Sequence, residues 1–519
     1  MNYNNEITTL ADLTRVQASR FPDKKALIFK GYPLTYIQLN TRSNLVAHAL
    51  LAQGIKSHSR VGLLAKDSIK SYEILFGCSK INAVTVPINW RLSAPEVSYI
   101  LKDANIEILF VGNEFHRLVT SISDDINGIT IISLEESTQT WLNYDNWLLG
   151  NINHDINITV EPNDIAVQVY TSGTTGRPKG VQLTHYSLFA IFQEIGKQGE
   201  TWIDWNESDK SLLTLPIFHI GGLWWAIRGL AVGAENILLE AFIAFQVFEA
   251  IEKYSITKIA MVPAMMQVLL AEPGLEETNF SSLQYIVYGG SPIAQTLLAE
   301  AMAKFPSKFV QVYGMTETGN CAVSLSSEDH ESGDSERLKS VGKALPGVYL
   351  KIIDSNTTIL PVGKVGEICI KSLANMVGYW KLPEATANTL IDGWIHTGDA
   401  GYLDEAGYLY ICDRFKDMIC YGGENIYPAE IENVLFEHPA VMDIAVIGVP
   451  DKRWGETIKA IVVLRAGMSA TPSDIINFAQ GKLANFKIPK TVEFTDSLPK
   501  TPSGKVQKSK LREKYGKGN

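Results

Sequence analysis

Through about residue 340 the chain alternates short β-branched apolar runs with longer stretches whose apolar residues recur at helical spacing. Examples are VGLLAKDSIKSYEILFGCSKI at 61–81, ANIEILFVGN at 104–113 and ITKIAMVPAMMQVLLAE at 256–272. Such alternation predicts βα units around mainly parallel sheets, an α/β fold of doubly wound subdomains. From about residue 345 the texture changes to short strands and turns, GVYLKIIDSNTTILPVGKVGEICIKS and WIHTGDAGYLDEAGYLYICDRFKD, which predicts a β-rich subdomain. Beyond Lys416 the pattern predicts a small α+β unit. It has a helix over 430–441, a strand pair over 443–451 and 457–467, a helix over 473–486 and a strand over 491–496. The expected organisation is therefore a large N-terminal domain over 1–413, with βα subdomains to about 340 and the β-rich part over about 345–413. A hinge over 414–416 and a C-terminal lid over 417–519 complete it.

Three predicted strands end in tyrosine and open directly into a glycine loop: IAVQVY into TSGTTG, LQYIVY into GGSP, and FVQVY into GMTETG. Ligands in open α/β sheets sit at the carboxyl ends of strands, so three such ends could converge on one site. The densest loop is Thr171-Ser172-Gly173-Thr174-Thr175-Gly176 with Lys179 shortly after. Glycines admit backbone amides to an oxyanion, hydroxyls donate to it and the lysine adds charge, which together read as a phosphate cradle. The spacing is not that of a Walker A loop.

Bulk numbers narrow the partner classes. The chain has 519 residues, 46% of them hydrophobic, and a net charge of −10. An acidic chain argues against a nucleic-acid surface, so any phosphate site is expected to be local. Five cysteines without a C-x-x-C pair argue against a disulfide framework or zinc finger and for a reducing compartment. The N-terminal stretch lacks a signal-peptide pattern, and no apolar run reaches the roughly 20 residues of a membrane span. The expected location is the cytoplasm, with no transmembrane segment; oligomeric state is not readable.

YTSGTTGRPKGV at 170–181 resembles the AMP-binding signature of the adenylate-forming superfamily, in which acyl-CoA synthetases, peptide-synthetase adenylation domains and beetle luciferases belong. The similarity continues in order through PIFHIGG at 216–222, YGGSP at 288–292, YGMTE at 313–317, GWIHTGD at 393–399, DRFKDMICYGGENIYPAEIE at 413–432 and PKTPSGKV at 499–506. The resemblance implies an ATP- and magnesium-dependent acid:CoA ligase. A carboxylate attacks the α-phosphate, pyrophosphate leaves, and a thiol then takes the acyl group. Both partners of the first step are anions, so positive charge and alignment matter more than acid/base groups.

By that resemblance Lys505 is the catalytic cation of the first step, Thr316 donates to the α-phosphate, Glu317 ligates magnesium and His219 closes against the acyl carboxylate. Gly289, Gly290, Ser291, Tyr313 and Gly314 form the adenine slot, while Asp399 accepts from the ribose hydroxyls with Arg414 assisting. Lys416 is the hinge. The loop Gly422-Gly423-Glu424, with Arg453 and Lys487, serves coenzyme A in the second step. Gly222, Trp224, Met261, Tyr288 and Met315 line the acyl pocket. Its segments are nearly all apolar, which suits a medium- to long-chain fatty acid, with an aryl or cinnamate-like acid as the alternative. Ile220 and Gly221 stand where amino-acid-activating relatives carry an aspartate. Arg228 reads as a helix-surface residue, with pairing to a second substrate carboxylate as the other option. A luciferase-like oxygenase and a non-catalytic nucleotide- or acyl-binding protein are the readings from other classes. The chain ends without a fused carrier domain, which favours coenzyme A as the thiol.

Overall fold

The computed structural model describes residues 6–516 apart from 139, 172–176, 200–201, 422–423 and 501–504. Among the described residues two large sheets, one small sheet and a C-terminal sheet organise the chain. The nine-stranded sheet places the strands Lys210–Leu213, Lys258–Met261, Tyr285–Gly289 and Lys308–Tyr313 side by side in parallel, with antiparallel strands at both edges. The eight-stranded sheet is parallel from Val84–Pro87 through Arg60–Leu64 and Ile106–Val111 to Thr130–Ser133. Its other edge turns antiparallel, where Ile165–Thr171 pairs back on Lys179–Thr184. The phosphate-cradle loop therefore closes a hairpin, a departure from the βα turn implied by the surrounding alternation.

A single apolar core joins all three sheets of the N-terminal domain, drawing Leu27 and Val287 from the first, Val61 and Val167 from the second, and Ile352 and Ile368 from the third. The parallel sheets are covered on both faces, as βα crossovers require. Alternation along Tyr285–Gly289 makes this explicit: Tyr285 and Val287 enter the shared core, while Ile286 and Tyr288 enter a second core behind the nine-stranded sheet.

Leu409–Arg414 is the last strand of the small antiparallel sheet, and Ile419–Tyr421 the first of the C-terminal sheet, so the chain changes sheets within five residues. The C-terminal sheet packs its own core of Ile431, Leu435, Val446, Ile458 and Ile475. The predicted helix over 473–486 is shorter, Pro472–Ala479, because Gly481 takes a left-handed φ of 75° and turns the chain. All five cysteines are free thiols. No described helix is long and apolar enough to cross a membrane.

A buried histidine ties the N-terminal helix to the hairpin edge. Thr9 and Asp12 form a capping box on the helix Leu10–Arg20, and the Leu10 N–H donates to His185 Nδ1 at 3.2 Å. Burial pushes the His185 imidazole down to about 4, partly opposed by Asp164 and Asp12. Its ordinary unfolded value is about 6.5. Its contribution to stability is thus complete above that pH and is lost as pH falls toward the folded value. Asn at this position keeps an acceptor for Leu10 without titrating. Between pH 7 and 5 the wild type should lose about 2 kcal/mol more stability than His185→Asn, at ~1.4 kcal/mol per pH unit. Urea unfolding of both proteins at the two pH values checks this; parallel losses would remove His185 as the cause.

Candidate active site

The cradle hairpin, the Thr316–Thr318 turn and the 393–399 strand come from three different sheets. Of the cradle, Thr171 and Lys179 are described: they are directly paired residues at the mouth of the hairpin. Ser172, Gly173, Thr174, Thr175 and Gly176 lie outside the described residues.

Lys179 and Glu317 meet through a residue that no sequence motif marks. The strand Gly378–Tyr379 adds to the hairpin edge, Tyr379 opposite Val181. The Tyr379 hydroxyl donates to Glu317 Oε1 at 2.8 Å, and Lys179 Nζ stands 4.8 Å from the centre of the same ring. Burial and the Glu317 charge both hold the phenol far above its ordinary range, so it remains a donor. A second bond, from the Met376 N–H to the Glu317 carbonyl at 2.8 Å, fixes the same turn from the same strand segment. Glu317 is nearly buried at 6% exposure, which only a well-satisfied carboxylate tolerates. Gly314 is glycine by necessity: a Cβ there would lie 1.7 Å from the Asn320 carbonyl oxygen.

Tyr313, Asp399 and Arg414 form the second cluster. Asp399 and Arg414 are directly opposite on antiparallel strands, with Arg414 Nε 3.2 Å from Asp399 Oδ1. The Tyr313 hydroxyl donates to Asp399 Oδ2 at 2.8 Å. The tyrosine whose ring was expected beside the adenine thus also fixes the expected ribose acceptor. Gly290 has a φ of 82°, open to glycine, and a Cβ on Gly289 would stand 2.3 Å from the Val312 carbonyl, so these two glycines serve backbone approach. Ser291 follows them in the same turn.

His219 sits at the N-terminus of the helix Ile220–Val232, half-buried, its ring 4.5 Å from that of Phe218. Burial, Arg91 and Lys505 together push its imidazole down to about 4, in that order of weight. It is therefore neutral at pH 7, burial being the leading cause and the Lys505 charge the smallest of the three. The loop bearing His219 is held from 150 residues away: the Ile217 N–H donates to both Asp67 oxygens, at 3.0 and 3.2 Å. Burial pushes the Asp67 carboxyl up to about 7, against the Ile217 bond and Arg91, which favour its charged form. Arg91 stacks over Trp90 at 4.1 Å and lies 5.8 Å from the Phe218 ring. Neither Asp67 nor Arg91 stands in a motif that sequence reasoning singles out.

Several residues expected in the acyl pocket pack into the apolar cores. Tyr288 faces the second core, its hydroxyl 2.9 Å from His330 Nε2 and its ring against Phe309, because strand alternation sends it away from Val287. Met261 shares that core for the same reason. At Gly222 a Cβ would stand 2.3 Å from the Pro216 carbonyl, so its smallness serves the His219 loop. Trp224 is core as well, stacked on Phe192 at 5.2 Å and edge-on to Trp202 at 5.6 Å. Met315 is half-buried against the shared core next to Thr316. Arg228 is not a surface residue: it is 2% exposed, its guanidinium 3.9 Å over the Phe192 ring.

For the thiol step, Gly422 and Gly423 lie outside the described residues, as do the side chains of Lys416 and Glu424. Arg453 stacks over Trp454 at 4.6 Å. Lys487 is held by both oxygens of Glu430 at 2.7 Å. Beside the sheet change, Lys508 Nζ lies 2.9 Å from Glu432 and 3.8 Å from Asp413. Burial opposes the Lys508 charge, but the two carboxylates outweigh it and raise its pKa. Arg512 pairs with Asp417 at 2.6 Å, so the helix Lys508–Tyr515 pairs with residues on both sides of the segment 414–416, the expected hinge.

Comparison with known proteins gives a consistent picture. The family described as AMP-binding enzyme matches residues 14–380, and the AMP-binding enzyme C-terminal domain matches 430–505. A fatty acid–[acyl-carrier-protein] ligase of Streptomyces coeruleorubidus is 45% identical over 98% of this chain and 97% of its own. An indoleacetate–CoA ligase of Aromatoleum aromaticum is 35% identical, covering 95% of each chain. Among solved structures, the anthranilate CoA ligase AuaEII in complex with anthranoyl-AMP superposes with a TM-score of 0.90 at 28% identity, over 98% of this chain and 97% of that one.

Removing the Tyr379 hydroxyl leaves a buried carboxylate short of one charge-assisted bond, worth about 1.5–3 kcal/mol. Tyr379→Phe should slow acid-dependent pyrophosphate release from ATP about ten- to a hundredfold, with circular dichroism unchanged. Wild-type rates in the variant would separate the Tyr379–Glu317 bond from catalysis.

Proposed function

The chain belongs to the AMP-binding enzyme family and is an ATP-dependent acid–thiol ligase that works through an acyl-adenylate; from that premise we propose that its acid is a medium- to long-chain fatty acid and its thiol coenzyme A. The observation that carries the acid assignment is the 45% identity, along 98% of the chain, to a ligase whose name specifies a fatty acid. Support comes from the helix after His219, where Ile220, Leu223 and Ile227 are buried apolar residues and no carboxylate stands to hold a substrate ammonium.

In this reading Lys179 and the cradle hydroxyls hold the outer phosphates, Tyr313 and the Gly289–Gly290 turn accommodate the base, and Asp399 with Arg414 accepts the ribose. The Glu317 carboxylate, a hard-oxygen donor beside Lys179, fits a magnesium ion, which when bound neutralises charge on the phosphate oxygens. Neutral His219 bounds the acid carboxylate without adding a charge to it. Lys505, whose charge reaches His219, aligns the carboxylate with the α-phosphorus and stabilises the charge that develops there. The carboxylate oxygen forms a bond to phosphorus as the bond to the pyrophosphate oxygen breaks. The domain then turns about Lys416, bringing Gly422-Gly423-Glu424 into place. The thiol sulfur bonds to the acyl carbon, AMP leaves and the thiol proton is released. Two orientations let one nucleotide site serve two different transition states.

A second reading concerns the acceptor alone. The same relative is named for an acyl-carrier protein, and Lys487, expected to meet the phosphates of coenzyme A, is instead engaged by Glu430. A carrier protein presents the same phosphopantetheine thiol without the adenosine 3′-phosphate.

Two measurements test these assignments. Thioester yield across fatty, aryl and dicarboxylic acids should peak with the fatty series; a peak with aryl acids overturns the acid. Supplying coenzyme A and a phosphopantetheinylated carrier in parallel decides the thiol. Lys505→Ala should cut acyl-AMP formation about a hundred- to a thousandfold and leave thioester formation from supplied acyl-AMP intact. Equal loss in both half-reactions contradicts the role given to Lys505.

A further inference from the structure

Behind the strand that carries Asp399 lies a cluster the ligase chemistry does not use. Cys369 and His396 are directly opposite on antiparallel strands, and Glu367 stands two residues before Cys369. His396 Nδ1 is 3.0 Å from Glu367 Oε2. The nearest ligand atoms of the three side chains, a thiol sulfur, an imidazole nitrogen and a carboxylate oxygen, all lie within 4.8 Å of one another. Tetrahedral zinc with sulfur, nitrogen and oxygen ligands separates its donors by about 3.3–3.6 Å. The three atoms need only small side-chain adjustments to enclose such an ion.

The backbone explains why they meet. Glu367 pairs with Ala400 and Cys369 with His396, so residues 397–399 face Ile368 alone and bulge from the ladder. The Glu367 carboxylate spans the base of this bulge, accepting the Gly398 N–H on Oε1 at 3.1 Å while Oε2 faces His396. Cys369 is fully buried beneath them, whereas the Glu367 side chain is 26% exposed and leaves an approach from solvent. The neighbouring cation, Lys351, pairs with Cys369 across the strand, and its ammonium is placed 4.4 Å from the Trp394 ring.

We propose that Glu367, Cys369 and His396 form a binding site for a thiophilic divalent cation of the zinc class, with water as the fourth ligand. Binding releases the Cys369 thiol proton and replaces the His396–Glu367 hydrogen bond with two metal bonds. The ion pins the two strands at the root of the bulge that presents Asp399.

The probe is cobalt(II), titrated into the full-length protein after treatment with a chelator. A single equivalent should give the near-ultraviolet thiolate-to-cobalt band and tetrahedral visible bands, both bleached by zinc, and zinc should raise the thermal midpoint. Cys369→Ser should abolish the thiolate band, and Glu367→Gln should weaken binding about tenfold or more, while Cys420→Ser, which removes the exposed thiol, changes nothing. A titration with no thiolate band, or a band that survives Cys369→Ser or vanishes with Cys420→Ser, overturns the site. If Cys369→Ser does not fold, the Glu367→Gln affinity decides: wild-type affinity there also overturns it. None of these readouts depends on the acid or thiol assigned above.

Discussion

The working parts of this molecule are held in register at Glu317, whose buried carboxylate accepts the Tyr379 hydroxyl and whose carbonyl accepts the Met376 N–H. The hairpin strands that flank the cradle belong to one large sheet and the Thr316–Thr318 turn follows a strand of the other. Tyr379 lies opposite Val181 on the edge of the first sheet, where the Val377 and Trp380 N–H groups flanking it donate to the Gln182 and Gly180 carbonyls, and its side chain reaches the second. A buried carboxylate left unpaired is costly, so the sheets cannot slide without losing that bond. The shared apolar core supplies the bulk of the cohesion. It is non-directional and cannot by itself set a geometry to within an ångström.

The third sheet is held to the same arrangement by Tyr313, which reaches from the nine-stranded sheet to Asp399. Asp67 does the equivalent for the loop bearing His219. In each case a side chain at the end of one strand fixes a segment of another sheet or loop. The C-terminal unit differs. It meets the rest through polar contacts, Lys508 at 3.8 Å from Asp413 and the Gln267 side chain donating to the Met442 carbonyl at 3.5 Å. Such contacts can release and re-form with solvent, as the proposed turning of this unit between two orientations requires.

What could be read from the chain without coordinates was the part encoded locally. Strands that stop at Tyr170, Tyr288 and Tyr313 before glycine loops are short-range patterns, and the change of texture near residue 345 is a change of strand length and turn density. The positioning residues were illegible because their partners are far away: 150 residues separate Asp67 from Ile217, and 62 separate Tyr379 from Glu317. Tyr288 and Met261 were placed in the acyl pocket because a strand buried on both faces has no polar alternation to reveal which side chains point which way. Arg228 was read as surface from its charge, whereas its long stem and flat guanidinium let it lie on Phe192 in the interior.

The order of the parts along the chain has a consequence for synthesis. Asp399 and the two side chains bonded to its carboxylate, Tyr313 and Arg414, precede position 415, while Lys505 comes about ninety residues later. Domains fold as units during translation, N-terminal first. A chain still growing on the ribosome would therefore complete the Tyr313–Asp399–Arg414 cluster before Lys505 had left the exit tunnel. On the function proposed above, the unfinished protein could hold ATP but not spend it on an acid.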